Sequence, residues 1–85
     1  MRLVLSLALV LAATMPALAK SCTERIMFVR KLIDHDLAIG FIGKDVHTKM
    51  SADLDKAENI CKGGNDAQAQ LLISLTERKY GYPQN

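Results

Sequence analysis

The chain has 85 residues, of which 24% are charged, with two cysteines and a formal net charge of +2. A chain of this length makes one domain. Basic and acidic residues are interspersed along every segment instead of gathering on a basic stripe, so the composition disfavours nucleic acid as a partner.

The first nineteen residues have the pattern of an export signal. Arg2 supplies a positive start, an apolar run follows to Ala13, and Pro16 precedes the small-residue cleavage pattern Ala17-Leu18-Ala19. An uncleaved membrane anchor is the alternative, since the apolar stretch nearly reaches the roughly 20 residues that span a bilayer. The proline and the cleavage pattern favour removal. We therefore predict a signal peptide over residues 1–19 and a periplasmic or secreted product.

Cleavage would leave residues 20–85, a single small domain with ten basic residues (all but Arg2) and nine acidic ones. An apolar core of this size seldom supplies more than a few kcal/mol of net stability, so the fold needs a covalent or other support. Exported chains mature where disulfides persist. The two cysteines permit one intramolecular pairing, Cys22 with Cys61.

The first predicted helix begins at Ser21-Cys22-Thr23-Glu24, which fits a capping box. Gly40 and Gly43 stop it near Ile39. Its apolar side is set by positions that recur at spacings of three and four, namely Ile26, Val29, Ile33 and Leu37.

The second predicted helix runs from about Asp45, a candidate N-cap, to Lys62, before Gly63 and Gly64. Its apolar stripe consists of Val46, Met50, Leu54, Ala57, Ile60 and Cys61.

The third predicted helix starts at Asn65, with Gln68 three residues on, and ends near Tyr80-Gly81, because Pro83 cannot continue it. It is expected to present Ala67, Leu71, Leu72 and Leu75 to the core. The predicted fold class is therefore all-α, a small three-helix miniprotein without a sheet.

The first two helices have matching lengths of roughly 18 residues, or about 27 Å at 1.5 Å per residue. Folded as an antiparallel hairpin, they bring Cys22 and Cys61 level with each other on facing apolar sides. We predict a hairpin closed by this disulfide, against which the third helix packs. A free, buried cysteine pair is the alternative.

Other roles for the cysteines fit the sequence poorly. Lys20-Ser21 before Cys22 does not suit lipid attachment, and the wide spacing of the cysteines lacks the Cys-x-x-Cys of redox and c-type haem sites. A thiol on an apolar helix face is a poor nucleophile. Three short helices also leave little room for a catalytic pocket, so we expect neither an enzyme nor a bound cofactor.

The histidines and methionines raise the possibility of a soft-metal site, since imidazole and thioether groups suit copper. At about 100° per residue, however, His35 and His47 fall on opposite flanks of the hairpin, while Met27 and Met50 point different ways. We predict no metal site, and a periplasmic metal or small-ligand carrier remains the alternative function.

The expected contact surface includes Tyr80 and Tyr82, because tyrosines are frequent at interfaces. Ile73 and Met27 join them as apolar residues off the main stripes. Tyr82 could instead fold back on the third helix after its glycine cap. Together, the sequence features predict an exported, non-catalytic interaction module that is monomeric. We expect its partner to be another envelope protein, and we expect no membrane association after cleavage.

Overall fold

The computed structural model describes residues 20–83, which form three α-helices and no strand. The helices are α1 (Cys22–Ala38), α2 (Lys44–Lys62) and α3 (Asp66–Lys79). All three pack against one another, and the Cys22–Cys61 disulfide joins the start of α1 to the end of α2. The all-α prediction and the disulfide-closed hairpin are confirmed. The predicted signal peptide lies outside the described residues.

Two of the three helix starts follow the capping pattern of the sequence. The Glu24 amide donates to Ser21 Oγ at 3.1 Å, and the Ser21 amide donates to the Glu24 carboxylate at 3.0 Å. Asn65 likewise accepts from the Gln68 amide. The Asp45 cap is wrong: α2 begins one residue earlier after Gly43, and no side chain caps it. The Asp45 carboxylate instead lies in the first turn, where the helix dipole favours it.

The helices end alike, each followed by a glycine with positive φ. After α3, the Tyr82 amide donates to the Glu77 carbonyl at 2.7 Å and the Gly81 amide donates to the Arg78 carbonyl. This pair of bonds is the Schellman arrangement, which glycine adopts without a Cβ clash. The same arrangement after α1 uses the Phe41 amide and the Asp36 carbonyl, 2.8 Å apart.

The core lies between the three helices. It consists of Ile26, Val29 and Ile33 from α1, Met50, Leu54 and Ala57 from α2, Ile73 from α3, and Tyr82. The stripes predicted for the first two helices supply most of these residues. Burial of these apolar side chains makes the main favourable contribution to the free energy of folding.

The inward face of α3 differs from the prediction. Leu71 and Leu75 are 59% and 46% exposed, whereas Ala69 and Ile73 are fully buried. Leu71 lies about 160° around the helix from Ile73, so the helix is turned by almost half a revolution from the predicted orientation. Of the four predicted residues, Leu72 does pack against the core, at the border of the buried face of the helix. The inward face carries two polar side chains whose hydrogen bonds are satisfied. Glu77 accepts from Arg25 of α1, and Thr76 donates to the Leu72 carbonyl of its own helix.

Candidate binding surface

The disulfide end of the molecule is closed by covalent and polar bonds. The Cα atoms of Cys22 and Cys61 lie 6.0 Å apart, and the Cys22 amide donates to Asp66 Oδ1 at 2.8 Å. The ends of all three helices therefore meet here. A shallow depression of about 280 Å³ lies beside the disulfide, and Met27, which is exposed as predicted, lines it.

A polar seam joins α1 to α3. Arg25 donates to the Glu77 carboxylate at 3.0 Å, to both oxygens of Gln70 and to Ser74 Oγ. Burial raises the pKa of Glu77 despite the opposing attraction of Arg25. Within residues 20–83, every buried side-chain nitrogen and oxygen has a hydrogen-bond partner. The polar atoms of the seam are satisfied within the protein, and this satisfaction accounts for their burial.

The predicted contact residues do not form one exposed surface. Ile73 is fully buried in the core, so its predicted exposure is wrong. Tyr82 is also buried: it folds back after the Gly81 cap, and its hydroxyl donates to Asp36 Oδ2 at 2.6 Å. Burial and Asp36 raise the pKa of Tyr82 to about 12. Tyr80 remains half-buried.

Tyr80 lines an open groove of about 420 Å³ at the opposite end of the bundle from the disulfide, where α1 and α3 end. We call it the bundle-end groove. Its walls are Leu32, Asp36, Phe41, Ile42, Tyr80, Gly81, Tyr82 and Pro83. Phe41 is 73% exposed on its edge, and the neighbouring Ile39 is exposed as well.

Three basic residues lie within two positions of groove-wall residues in the sequence: Lys44 near Ile42, and Arg78 and Lys79 before Tyr80. Lys44 begins α2, while Arg78 and Lys79 lie in the last turn of α3. Lys79 Nζ lies 5.3 Å from the centre of the Tyr80 ring, which forms part of the groove wall. Among residues 20–83, none of these three cations forms an ion pair.

The sequence prediction missed Phe41 as a surface residue. The sequence feature that could have revealed Phe41 is the pair of large apolar residues Phe41-Ile42, which lies in a turn between Gly40 and Gly43. Such a pair can be covered by a neighbouring element or left exposed, and the helical periodicity does not distinguish these outcomes.

The histidines and methionines are not brought together. His47 Nε2 lies 2.7 Å from Asp34 Oδ1, while His35 is exposed. Met50 is fully buried in the core, and Met27 lies beside the disulfide. Residues 20–83 contain no group of three or more His, Cys, Asp or Glu side chains that could hold a metal ion. In the same range, no helix has both the length and the apolar character needed to cross a membrane.

In comparisons with known proteins, no family model matches the chain, and no curated protein or solved structure matches it. A functional interpretation therefore depends on the side chains and surfaces described above.

Proposed function

We propose that this protein is an exported, non-catalytic interaction module of the cell envelope that binds another protein through the bundle-end groove. The exposure of Phe41 carries the proposal. An aromatic side chain that is mostly exposed and borders a concave apolar surface is typical of a protein contact site, because aromatic residues supply much of the binding energy there.

Phe41 also differs from the residue at the matching position after α3. Both Phe41 and Tyr82 follow a Schellman glycine, and an apolar residue at this position often packs back onto its helix. Tyr82 is buried in the core cluster, whereas Phe41 stays exposed. The residue that Phe41 would meet on its own helix is Asp36, which already bonds to Tyr82. Phe41 is thus left available to a partner.

Photocrosslinking in the native envelope tests the proposal. p-Benzoylphenylalanine replaces Phe41, an aromatic substitution at an exposed position that leaves the core intact. We expect irradiation to give a discrete adduct with another protein, identified by mass spectrometry. The matched control carries the same photoreactive residue at Leu71, which is exposed on the outer side of α3. Equal adducts at both positions, or none at Phe41, would contradict the proposal.

A further inference from the structure

The shape of the bundle-end groove indicates what kind of surface it can meet. Its volume of about 420 Å³ falls within the roughly 300–1,000 Å³ typical of ligand-binding clefts. The walls of the groove include Leu32, Ile42 and Tyr82. A flat bilayer surface would not reach these walls. A protruding side chain of a protein segment can contact both these walls and the exposed Phe41 at the edge.

The charges beside the groove indicate the chemistry of the segment. Lys44, Arg78 and Lys79 have no ion-pair partner among residues 20–83. Two carboxylates oppose these cations. Asp36 in the groove wall is buried and accepts from the Tyr82 hydroxyl, whereas Asp45, the neighbour of Lys44 in the sequence, is exposed.

Helix stability does not explain all three cations. Arg78 and Lys79 complement the negative end of the α3 dipole. Lys44, in contrast, is the first residue of α2, where the positive end of the dipole disfavours a cation. A lysine at this position therefore has no structural benefit from the helix, and it adds positive charge beside the groove.

We infer that the bundle-end groove binds an acidic protein segment that inserts one large apolar side chain and places flanking carboxylates against Lys44, Arg78 and Lys79. This inference rests on the proposed function and adds the chemistry of the partner. Electrostatic complementarity of this kind speeds association and selects among partners.

Selection from a random dodecapeptide display library on the immobilised protein of residues 20–85 tests the inference. The peptides enriched should carry Asp or Glu on both sides of an aromatic residue or leucine. A Phe41→Asp protein should fail to enrich them. Enrichment of neutral or basic peptides, or no enrichment at all, would overturn the inference.

Charge reversal gives a quantitative readout on the best enriched peptide. Lys44→Glu/Lys79→Glu should weaken its affinity about tenfold, because two ion pairs with the peptide carboxylates are lost and two repulsions replace them. The matched control, Lys20→Glu/Lys56→Glu, makes the same change of net charge away from the groove and should alter the affinity less than about twofold. Equal weakening by both pairs would show only a non-specific charge effect and overturn the inference.

Vesicles of phosphatidylethanolamine and phosphatidylglycerol provide the lipid comparison. We expect no co-sedimentation of the protein. Binding that Phe41→Asp abolishes would assign the surface to an anionic membrane and overturn the inference.

If the photoreactive residue at position 41 captures a protein but the selected peptides are not acidic, the partner chemistry is wrong and the proposed function stands. If acidic peptides bind but no protein is captured in the envelope, the proposed function fails.

Discussion

Tyr82 is a buried residue after a helix whose polar atom has a partner in the protein. Its ring joins the core cluster, and its hydroxyl reaches across to Asp36 in the last turn of α1. A buried carboxylate needs such donors because it has been removed from water. The bond therefore fixes the C-terminal segment against α1 and shapes one wall of the bundle-end groove.

Removing this donor should destabilise the fold. In Tyr82→Phe the ring remains, but the buried Asp36 carboxylate loses the phenol at 2.6 Å. We expect a loss of about 1–3 kcal/mol in the free energy of unfolding, measured by urea denaturation at pH 7. Tyr80→Phe is the matched control, because the Tyr80 ring lies half-buried in the neighbouring wall. A similar loss in both variants would refute the role given to the Tyr82–Asp36 bond.

The same phenol predicts a loss of stability at high pH. Its pKa is raised to about 12, from an ordinary value of about 10, so the folded protein favours the neutral form. Stability from this shift is present below pH 10 and is lost as the pH rises from about 10 to about 12. The stability advantage of the natural protein over Tyr82→Phe should therefore shrink across that range in thermal denaturation. An advantage that stays constant would contradict this assignment.

At the scale of the helices, the seam between α1 and α3 is held by polar contacts that specify orientation. Arg25 reaches three turns of α3, through Gln70, Ser74 and Glu77. The raised pKa of Glu77 means that burial disfavours its carboxylate more than Arg25 favours it. A group with a raised pKa contributes stability below its ordinary pKa and loses it as the pH rises, so ionisation of Glu77 does not add stability at pH 7.

Breaking the seam on one side should cost more than replacing both partners. Arg25→Met leaves the Glu77 carboxylate buried without its cation, and the expected loss is about 3–5 kcal/mol. The double variant Arg25→Met/Glu77→Met removes both charges and should be more stable than the single variant. Melting temperatures of the natural protein, both single variants and the double variant form a complete cycle. A double variant no more stable than Arg25→Met would contradict this expected order, and a double variant much less stable than the natural protein would show that the pair is stabilising.

The sequence predicts the helix boundaries better than the orientation of α3. Ser21, Asn65 and the glycines act on backbone atoms within a few residues, so their effect can be read locally. The inward face of α3 depends on the bond between Arg25 and Glu77, which lie 52 positions apart. Hydrophobic periodicity cannot anticipate that a glutamate is buried while leucines remain exposed, because the partner lies on another helix.

The candidate site was predictable only in part. The contact residues predicted near the end of the chain include Tyr80, just before Gly81, and Tyr80 does line the groove. Phe41 comes from a turn near the middle of the chain, and it lines the same groove as Tyr80 because α1 packs against α3. The groove is thus a product of tertiary structure, and no local pattern contains it.

At the scale of the whole molecule, the two ends of the bundle have different physical characters. One end is tied by the disulfide and by the bond from the Cys22 amide to Asp66. The other is open, with an exposed Phe41 and with Lys44, Arg78 and Lys79, which form no ion pair within residues 20–83. A small domain that leaves apolar surface uncovered at one end gives up some burial, so the covalent tie at the other end becomes more important to its stability.

Replacing both cysteines should therefore unfold most of the protein. The disulfide joins residues 39 positions apart, and in the chain-entropy model closing such a loop stabilises the fold by about 4 kcal/mol. Whole domains typically have about 5–15 kcal/mol of stability, and a domain this small lies at the low end of that range, so about 4 kcal/mol would be most of its stability. We expect Cys22→Ser/Cys61→Ser to lose most of its helical circular dichroism at 37 °C. Full helicity in this variant, or two freely alkylated thiols in the purified natural protein, would show that the hairpin holds together without the bond.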